Sequence, residues 1–543
     1  IVVRNTQNEI EETVTIVQAQ KDAIILGEDS YTISNEGGTL DLEVKSNIDY
    51  EISVVDDDWI HYTPTRALQN STVHLVIDPN PDQLQTRIGS VEFIHDDIKQ
   101  KITITQFAIE LSEDQIIYYT SSDNAALYPN SKDFGANIIA NLYENGQGKL
   151  IFDKPVTKIG DKAYYYYYKT LTSITLPQTV TSIGTDAFRE CSNLTSINLP
   201  ENITSIGANA FYNCSNLTGV TLPKNLTTIS EGMFYGCANL ANIALPDNIT
   251  TIDQYAFCRC TNLTGIDIPE TVTTIGRNAF SSSGLTTLVI PDNVSVIDAY
   301  LCEYCKNLTS VHIGKSVELI MLDAFFHCEN LISVSFSDNC LLKDIRFRAF
   351  YACKKLRSIT IPDNVERIGF NILQECSSLE AVSGGKNLTK IPGDAFYGCN
   401  NLQEIDLPEI TIVEQRAFTD CYRLKNINMP KLTQIDNQAF AGCTNANFVI
   451  GNISSCAADA FDGCYGNITL SGVSTTLQNS TFSKITILGA DGASNIVADA
   501  FSGGACTSVI IGPNITIGDR AFSNCTALKN VQLPETTMTI AHG

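Results

Sequence analysis

Six histidines, eighteen cysteines and one run of acids are the residues of this chain whose chemistry could reach beyond packing. The histidines are His61, His74, His95, His312, His327 and His542, and none stands in an HExxH pattern or at a zinc-like spacing from cysteine. No GxSxG elbow, P-loop or GxGxxG occurs either. Two close cysteine pairs are present, Cys302-Glu303-Tyr304-Cys305 and Cys258-Arg259-Cys260. A redox pair belongs at a helix start near a βαβ unit, and these sit inside a repeat whose columns explain them better. Asp56-Asp57-Asp58 could offer oxygen ligands to calcium, although three exposed acids in a turn are ordinarily just solvated. No nucleophile, base and orienter can be named together. The chain is therefore read as no enzyme, with no catalytic residue, no metal and no cofactor.

What positions these residues is a repeat. Three near-copies stand in a row from Thr181, TSIGTDAFRECSNLTSINLP, TSIGANAFYNCSNLTGVTLP and TTISEGMFYGCANLANIALP. With the isoleucine of each copy as marker, the series runs Ile159, Ile183, Ile206, Ile229, Ile252, Ile275, Ile297, Ile320, Ile345, Ile368, Ile391, Val413 and Ile435. Weaker matches follow at Cys456, Leu477, Ile496, Ile517 and Ile540, and the usual step is 23 residues. Such a period is the signature of a solenoid. An aromatic sits at +5 from the marker, cysteine at +8, leucine at +11, aliphatics at +14 and +16, and often proline at +17. One copy cannot bury that set alone, whereas stacked copies pack each column on itself. Leu194–Pro200 alternates with period two and predicts a short strand with Ile197 and Leu199 inward. The spacing of Ala187, Phe188 and Cys191 predicts one turn of helix after the marker.

The recurring TxIGxxAFxxCxxLTxIxLP pattern resembles the BspA-like leucine-rich repeats of bacterial cell surfaces, over residues 159–543. From about Ala446 to Thr516 the copies shorten and leucines give way to glycine and alanine, so regular curvature is not expected there. Thirteen of the cysteines occupy the +8 column, where free cysteine acts as a small buried apolar residue. Structural free thiols are expected over disulfides.

Ahead of the repeats, residues 24–107 alternate as short strands (TLDLEVKS, YEISVV, TVHLVI, SVEFIH, KITITQ) split by turn residues, which predicts an all-β sandwich. The order Asn47, Trp59, Arg87-x-Gly89 and Thr105-Gln106 resembles the BACON domain, an immunoglobulin-like module of Bacteroidetes surface and secreted proteins often tied to carbohydrate. The expected fold is thus multidomain, an immunoglobulin-like all-β sandwich followed by a leucine-rich-repeat solenoid. Parallel strands form its concave face, and short helices or turns the other. The expected division is 1–21, the last hairpin of a truncated upstream BACON-like domain; 22–112, the sandwich; 113–158, a cap on the solenoid; and 159–543, the repeats. The run Tyr164–Tyr168 falls in the first repeat, with Tyr164 at +5.

Formal net charge is −25, and residues 1–112 carry 20 acids against 7 bases. That balance opposes nucleic acid and anionic membranes, and no run of 18 apolar residues spans a bilayer. Function in a solenoid usually sits on the extended strand face. The outward residues there are Ser196, Asn198, Thr221, Asn242, Asp267, Ser310, His312, Ser333, Ser335, Ser358, Thr360, Glu404, Asp406, Asn426 and Asn428. They are small and polar, without the aromatic anchors of tight interfaces; such rows serve equally to keep strands paired and soluble. Trp59 could stack on a sugar, or plug the sandwich core as a lone tryptophan beside Ile60 commonly does. The resemblances imply an adhesin-like, non-enzymatic protein of the extracellular cell surface, whose partner is a protein or glycan on a host or neighbouring cell. The alternatives are carbohydrate capture by the BACON-like module and a stalk without ligand.

Overall fold

The columns read from the sequence become stacks. In the computed structural model each copy closes into one coil, and the +5 rings lie face to face along the coils: Phe188 on Phe211 at 5.5 Å between centroids, Phe211 on Phe234 at 5.6 Å, Phe257 on Phe280 at 5.8 Å. That spacing follows from the distance between neighbouring parallel strands. Ala187, Phe188, Cys191 and Leu194 are fully buried, and their counterparts repeat the pattern coil after coil. Cys302 and Leu373 take the aromatic's place in two coils and are equally buried. The structure describes all residues except 1, 6–9, 14–21, 56–57, 63–70, 81–85, 108–110, 131–132, 166, 168, 490–493, 536–538 and 543. Asp56, Asp57, Tyr166 and Tyr168 therefore lie outside the described residues.

Two parallel ladders run along the solenoid. The expected one holds strands such as Ser196–Asn198, Ser310–Ile313 and Ser358–Ile361, with Ile197, Val311 and Ile359 turned inward. The second is built from two-residue strands at the marker itself, Ser182–Ile183 on Ser205–Ile206 and Thr228–Ile229 on Thr251–Ile252.

The helical turn expected between them is corrected to a run of tight turns. Among the described residues the one helical segment is the 3-10 turn Glu113–Gln115, outside the repeats. The cause is a left-handed residue at +3 and again at +7 in nearly every coil: Asp186 and Glu190 at φ 55° and 61°, Asn209 and Asn213 at 55°, Tyr255 and Arg259 at 58° and 61°. A right-handed helix cannot pass through such residues. The N–H groups of these residues and of the aromatic between them go instead to the next coil, Asp186 to the Ala208 carbonyl at 2.9 Å, Phe188 to Ala210 at 2.8 Å and Glu190 to Tyr212 at 2.6 Å. These bonds, repeated along the stack, offset the strain of the left-handed positions.

The chain divides into two compact units, each described by itself. The first holds two four-stranded sheets. One has the order Ser30–Ile33, Ile98–Gln106, Arg87–His95, Glu51–Val55; the other Ile24–Ile25, Gly38–Ser46, Ser71–Ile77, Ile60–Tyr62. Leu42, Val44, Leu75, Val91, Phe93, Ile102 and Ile104 fill the core between them. This unit also holds the antiparallel hairpins Val2–Asn5 with Ile10–Thr13 and Ile138–Glu144 with Gln147–Phe152.

Residues 119–123 and 127–134 group with the repeats. There the Asn130 N–H donates to the Ala163 carbonyl at 2.8 Å, in the place that a preceding coil's N–H would otherwise occupy, and Phe134 is fully buried. Among the described residues no helix is long and apolar enough to cross a membrane.

Candidate functional site

On the strand face, inward Ile and Val side chains fix the direction of their neighbours, so residues two apart project outward. Parallel register then lines them up across coils. Thr287, Ser310 and Ser333 form one row, and Val289, His312 and Ser335 the row beside it. Further along, Ser358, Ala381, Glu404, Asn426 and Asn447 are partners in one row, and Thr360, Ser383, Asp406, Asn428 and Val449 in the next. All of the expected strand-face residues in these rows are exposed except Ser310 and His312, which are half-buried.

Ser196 stands in a shorter row between Ser173 and Gly219, and Asn198 beside Thr175. Not every expected residue joins a row. Asn242 has a single bridge to Gly219, while Thr221 and Asp267 are exposed but lie outside any strand. Glycine at 219 and 265 leaves open space where a Cβ would stand, so nothing there props a strand against its neighbour.

His312 organises its surroundings. Its Nδ1 lies 3.0 Å from Ser335 Oγ and its Nε2 3.1 Å from Ser337 Oγ, and Ser337 donates to Asp292 Oδ1 at 3.3 Å. The Lys315 amide hydrogen bond to Asp292, helped by Ser337 and by the Lys315 charge, holds that carboxyl below the ordinary range. The relay orders two hydroxyls. It lacks a donor pair that would hold a developing oxyanion, so it supports binding and names no reaction.

The opposite, turn-forming side carries what the strand face lacks. The Arg189 guanidinium lies 4.3 Å from the centroid of Tyr212, whose ring stacks on Tyr235 at 4.4 Å. In the coils of Ile320 and Ile345, Arg348 lies over Phe326 at 4.8 Å and Phe347 at 4.5 Å, and Phe326 stacks on Tyr351. These rings stand mostly at +6, beside the buried aromatic. The signal for them was available in Tyr212, Tyr235, Phe326, Tyr351 and Tyr397, which share that position in the sequence.

The cysteine pairs are core. Cys258, Cys302 and Cys305 are buried, and burial pushes the Cys302 thiol well up. All eighteen cysteines are free, and all but the half-buried Cys456 and Cys525 are buried. The +8 thiols donate to the carbonyl of the preceding coil's +5 residue, Cys214 to Phe188 and Cys260 to Phe234, each at 3.1 Å. In the first unit Trp59 is 8% exposed and carries the Arg87 guanidinium 4.2 Å from its ring centroid. Arg87 also donates to Gln106 Oε1 at 2.7 Å and to the Pro79 carbonyl at 2.9 Å. A sugar stacking on Trp59 would compete with that guanidinium. Among the described residues no group of three His, Cys, Asp or Glu could hold a metal ion.

Residues 157–283, 227–343, 343–468 and 494–543 match the model of the BspA type leucine rich repeat region. The chain belongs to the BspA-type leucine-rich-repeat family. Residues 41–107 match the BACON model, described as an N-terminal binding domain. Among solved structures, a leucine-rich repeat protein from Bacteroides ovatus is 26% identical, with 56% of this chain and 91% of that one covered and a TM-score of 0.44. One from Eubacterium ventriosum is 21% identical over the same shares, with a TM-score of 0.35. The leucine rich repeat protein of T. pallidum is 24% identical, covering 41% of this chain and 82% of its own, with a TM-score of 0.27. No curated protein matches the chain. The BspA-type repeats and the BACON domain make this a binding scaffold in the general sense of both families.

Proposed function

We propose that the chain is an adhesin-like, non-enzymatic protein of the extracellular cell surface, whose solenoid takes a protein or glycan of a host or neighbouring cell on its strand face. One observation carries the proposal. From Ser358–Ile361 onward the strands of that face join a single ladder through Glu404–Asp406, Asn426–Met429 and Asn447–Ile453 to Asn530–Gln532. The ladder holds Thr360, Asp406 and Asn428 in one row without a break. A row of fixed, solvated polar groups suits an extended partner better than a small substrate. The net charge of −25 favours partners that are neutral or basic over nucleic acid.

A second account places carbohydrate capture in the sandwich. The BACON match supports it, and the covered ring of Trp59 weighs against that residue as the platform.

The test is binding of the whole chain to a panel of matrix proteins and glycans at physiological salt. Saturable binding without turnover is expected. Hydrolysis of a glycan or peptide, abolished by a point substitution, would contradict the proposal.

A further inference from the structure

The step from Ile320 to Ile345 is 25 residues, two more than the usual repeat. The extra length follows the Ser333–Phe336 strand, where Asn339 is left-handed at φ 56° and Cys340 turns into the core. The strand ladder breaks there. Ser333–Phe336 closes a sheet that begins at Thr287–Ile290, and Ser358–Ile361 opens the next.

The two strands are not simply frayed. At one end the Arg357 N–H reaches the Ile332 carbonyl at 3.4 Å, and at the other the Asn364 Nδ2 donates to the Cys340 carbonyl at 2.9 Å. Between these ties lies a cleft of about 820 Å³, within the ordinary range for ligand clefts.

Its lining is specific in kind. Hydroxyls of Ser335, Ser337 and Thr360 face it, with two of them held by His312. Asp338 and Asn364 add a carboxylate and an amide, and half-buried Phe336 adds apolar surface. No lysine or arginine lines it, and its other acid, Asp363, is taken by Lys386 at 2.7 Å. A phosphate, sulfate or uronate would meet carboxylates with no cation to answer its charge. The strand edges facing the cleft belong to separate sheets, so their backbone donors and acceptors remain for a ligand rich in hydroxyls.

We propose that this cleft binds a neutral sugar unit. The proposal deepens the strand-face account and rests on it, since it names the chemistry that one stretch of the face selects.

The test is calorimetry and saturation-transfer NMR on the whole chain with galactose, mannose and N-acetylglucosamine, and with glucuronate as the charged counterpart. At least one neutral sugar should bind, and glucuronate should bind about tenfold more weakly or not at all, the cost of a few unanswered polar contacts. Thr360→Phe, which fills the cleft from an exposed position, should abolish binding, and His312→Ala should weaken it by freeing Ser335 and Ser337. An unchanged thermal midpoint establishes that each variant is folded.

Binding unaffected by Thr360→Phe would overturn the proposal. So would preference for glucuronate, or capture of short peptides with no sugar bound. If the chain binds matrix proteins or glycans through Asp406 and Asn428 yet binds none of these sugars, the cleft assignment fails and the strand-face account stands.

Discussion

Cysteine in the +8 column acts as a small buried group with one weak donor, and burial keeps it from acting as a nucleophile. This holds even at Cys305, where hydrogen bonds from Cys302 and Ser283 draw the thiol down. Burial pushes the Cys376 and Cys464 thiols up to about 12, and those of Cys214 and Cys260 well above their ordinary value. A thiol reagent at mildly alkaline pH should therefore label the native chain first at Cys525, and all eighteen cysteines only after unfolding. Rapid native labelling of Cys214 or Cys260 would contradict this packing. Trp59 offers a second probe at this scale because it is the sole tryptophan. Arg87→Ala removes its covering guanidinium and the bonds to Gln106 and Pro79. The first unit should lose about 1–3 kcal/mol, as for a broken charge-assisted hydrogen-bond cluster, and the tryptophan emission should shift to the red. The Trp59, Arg87 and Gln106 positions were legible in the sequence as a motif. That the three close on one another was not, because 28 residues separate Trp59 from Arg87 and only the sandwich brings them together.

At the scale of the element, the repeat was legible where one residue type fills one column. Phe188, Cys191 and Leu194 recur so strictly that stacking was the one way to bury them. The marker strands escaped notice because two residues, such as Ser182–Ile183, are too few to show alternation. The turn segment read as helix because apolar residues three apart suit a helical turn and a chain of tight turns equally well. What separates the two is the left-handed backbone at +3 and +7, and those positions hold Asp186, Glu190, Tyr255 and Arg259 as readily as Gly232 and Gly236. Glycine thus gave little warning. Asn213, at φ 55°, should tolerate glycine but not a β-branched residue. Asn213→Val is expected to cost about 1–2 kcal/mol more than Asn213→Gly, measured by chemical denaturation of the two variants. Equal stabilities would mean that the turn segment can rearrange toward a helix. The +6 aromatics, Tyr212 and Tyr235 among them, were not legible as a column because the same position holds Arg189, Cys258, Ser281 and Glu303 in other coils.

At the scale of the whole molecule, a BACON domain and BspA-type repeats describe most of the chain, and binding is their shared business. The choice of binding surface lies between two sides of the repeat unit. The strand face has long, regular polar rows; the turn side has arginine and aromatic residues of the kind that dominate tight protein interfaces. The proposed function places the partner on the strand face, because its rows run unbroken over the most coils. The most direct measurement compares two variants of the whole chain against whichever panel ligand the native protein binds. One carries Thr360→Lys, Asp406→Lys and Asn428→Lys on the strand face; the other carries Tyr212→Ala, Tyr235→Ala and Phe326→Ala on the turn side. Every changed side chain is at least partly exposed, so both variants should fold. Binding should fall at least about tenfold in the strand-face variant, as for loss of several central contacts, and stay near native in the other. Loss confined to the turn-side variant would contradict the account and move the binding surface to the aromatic side.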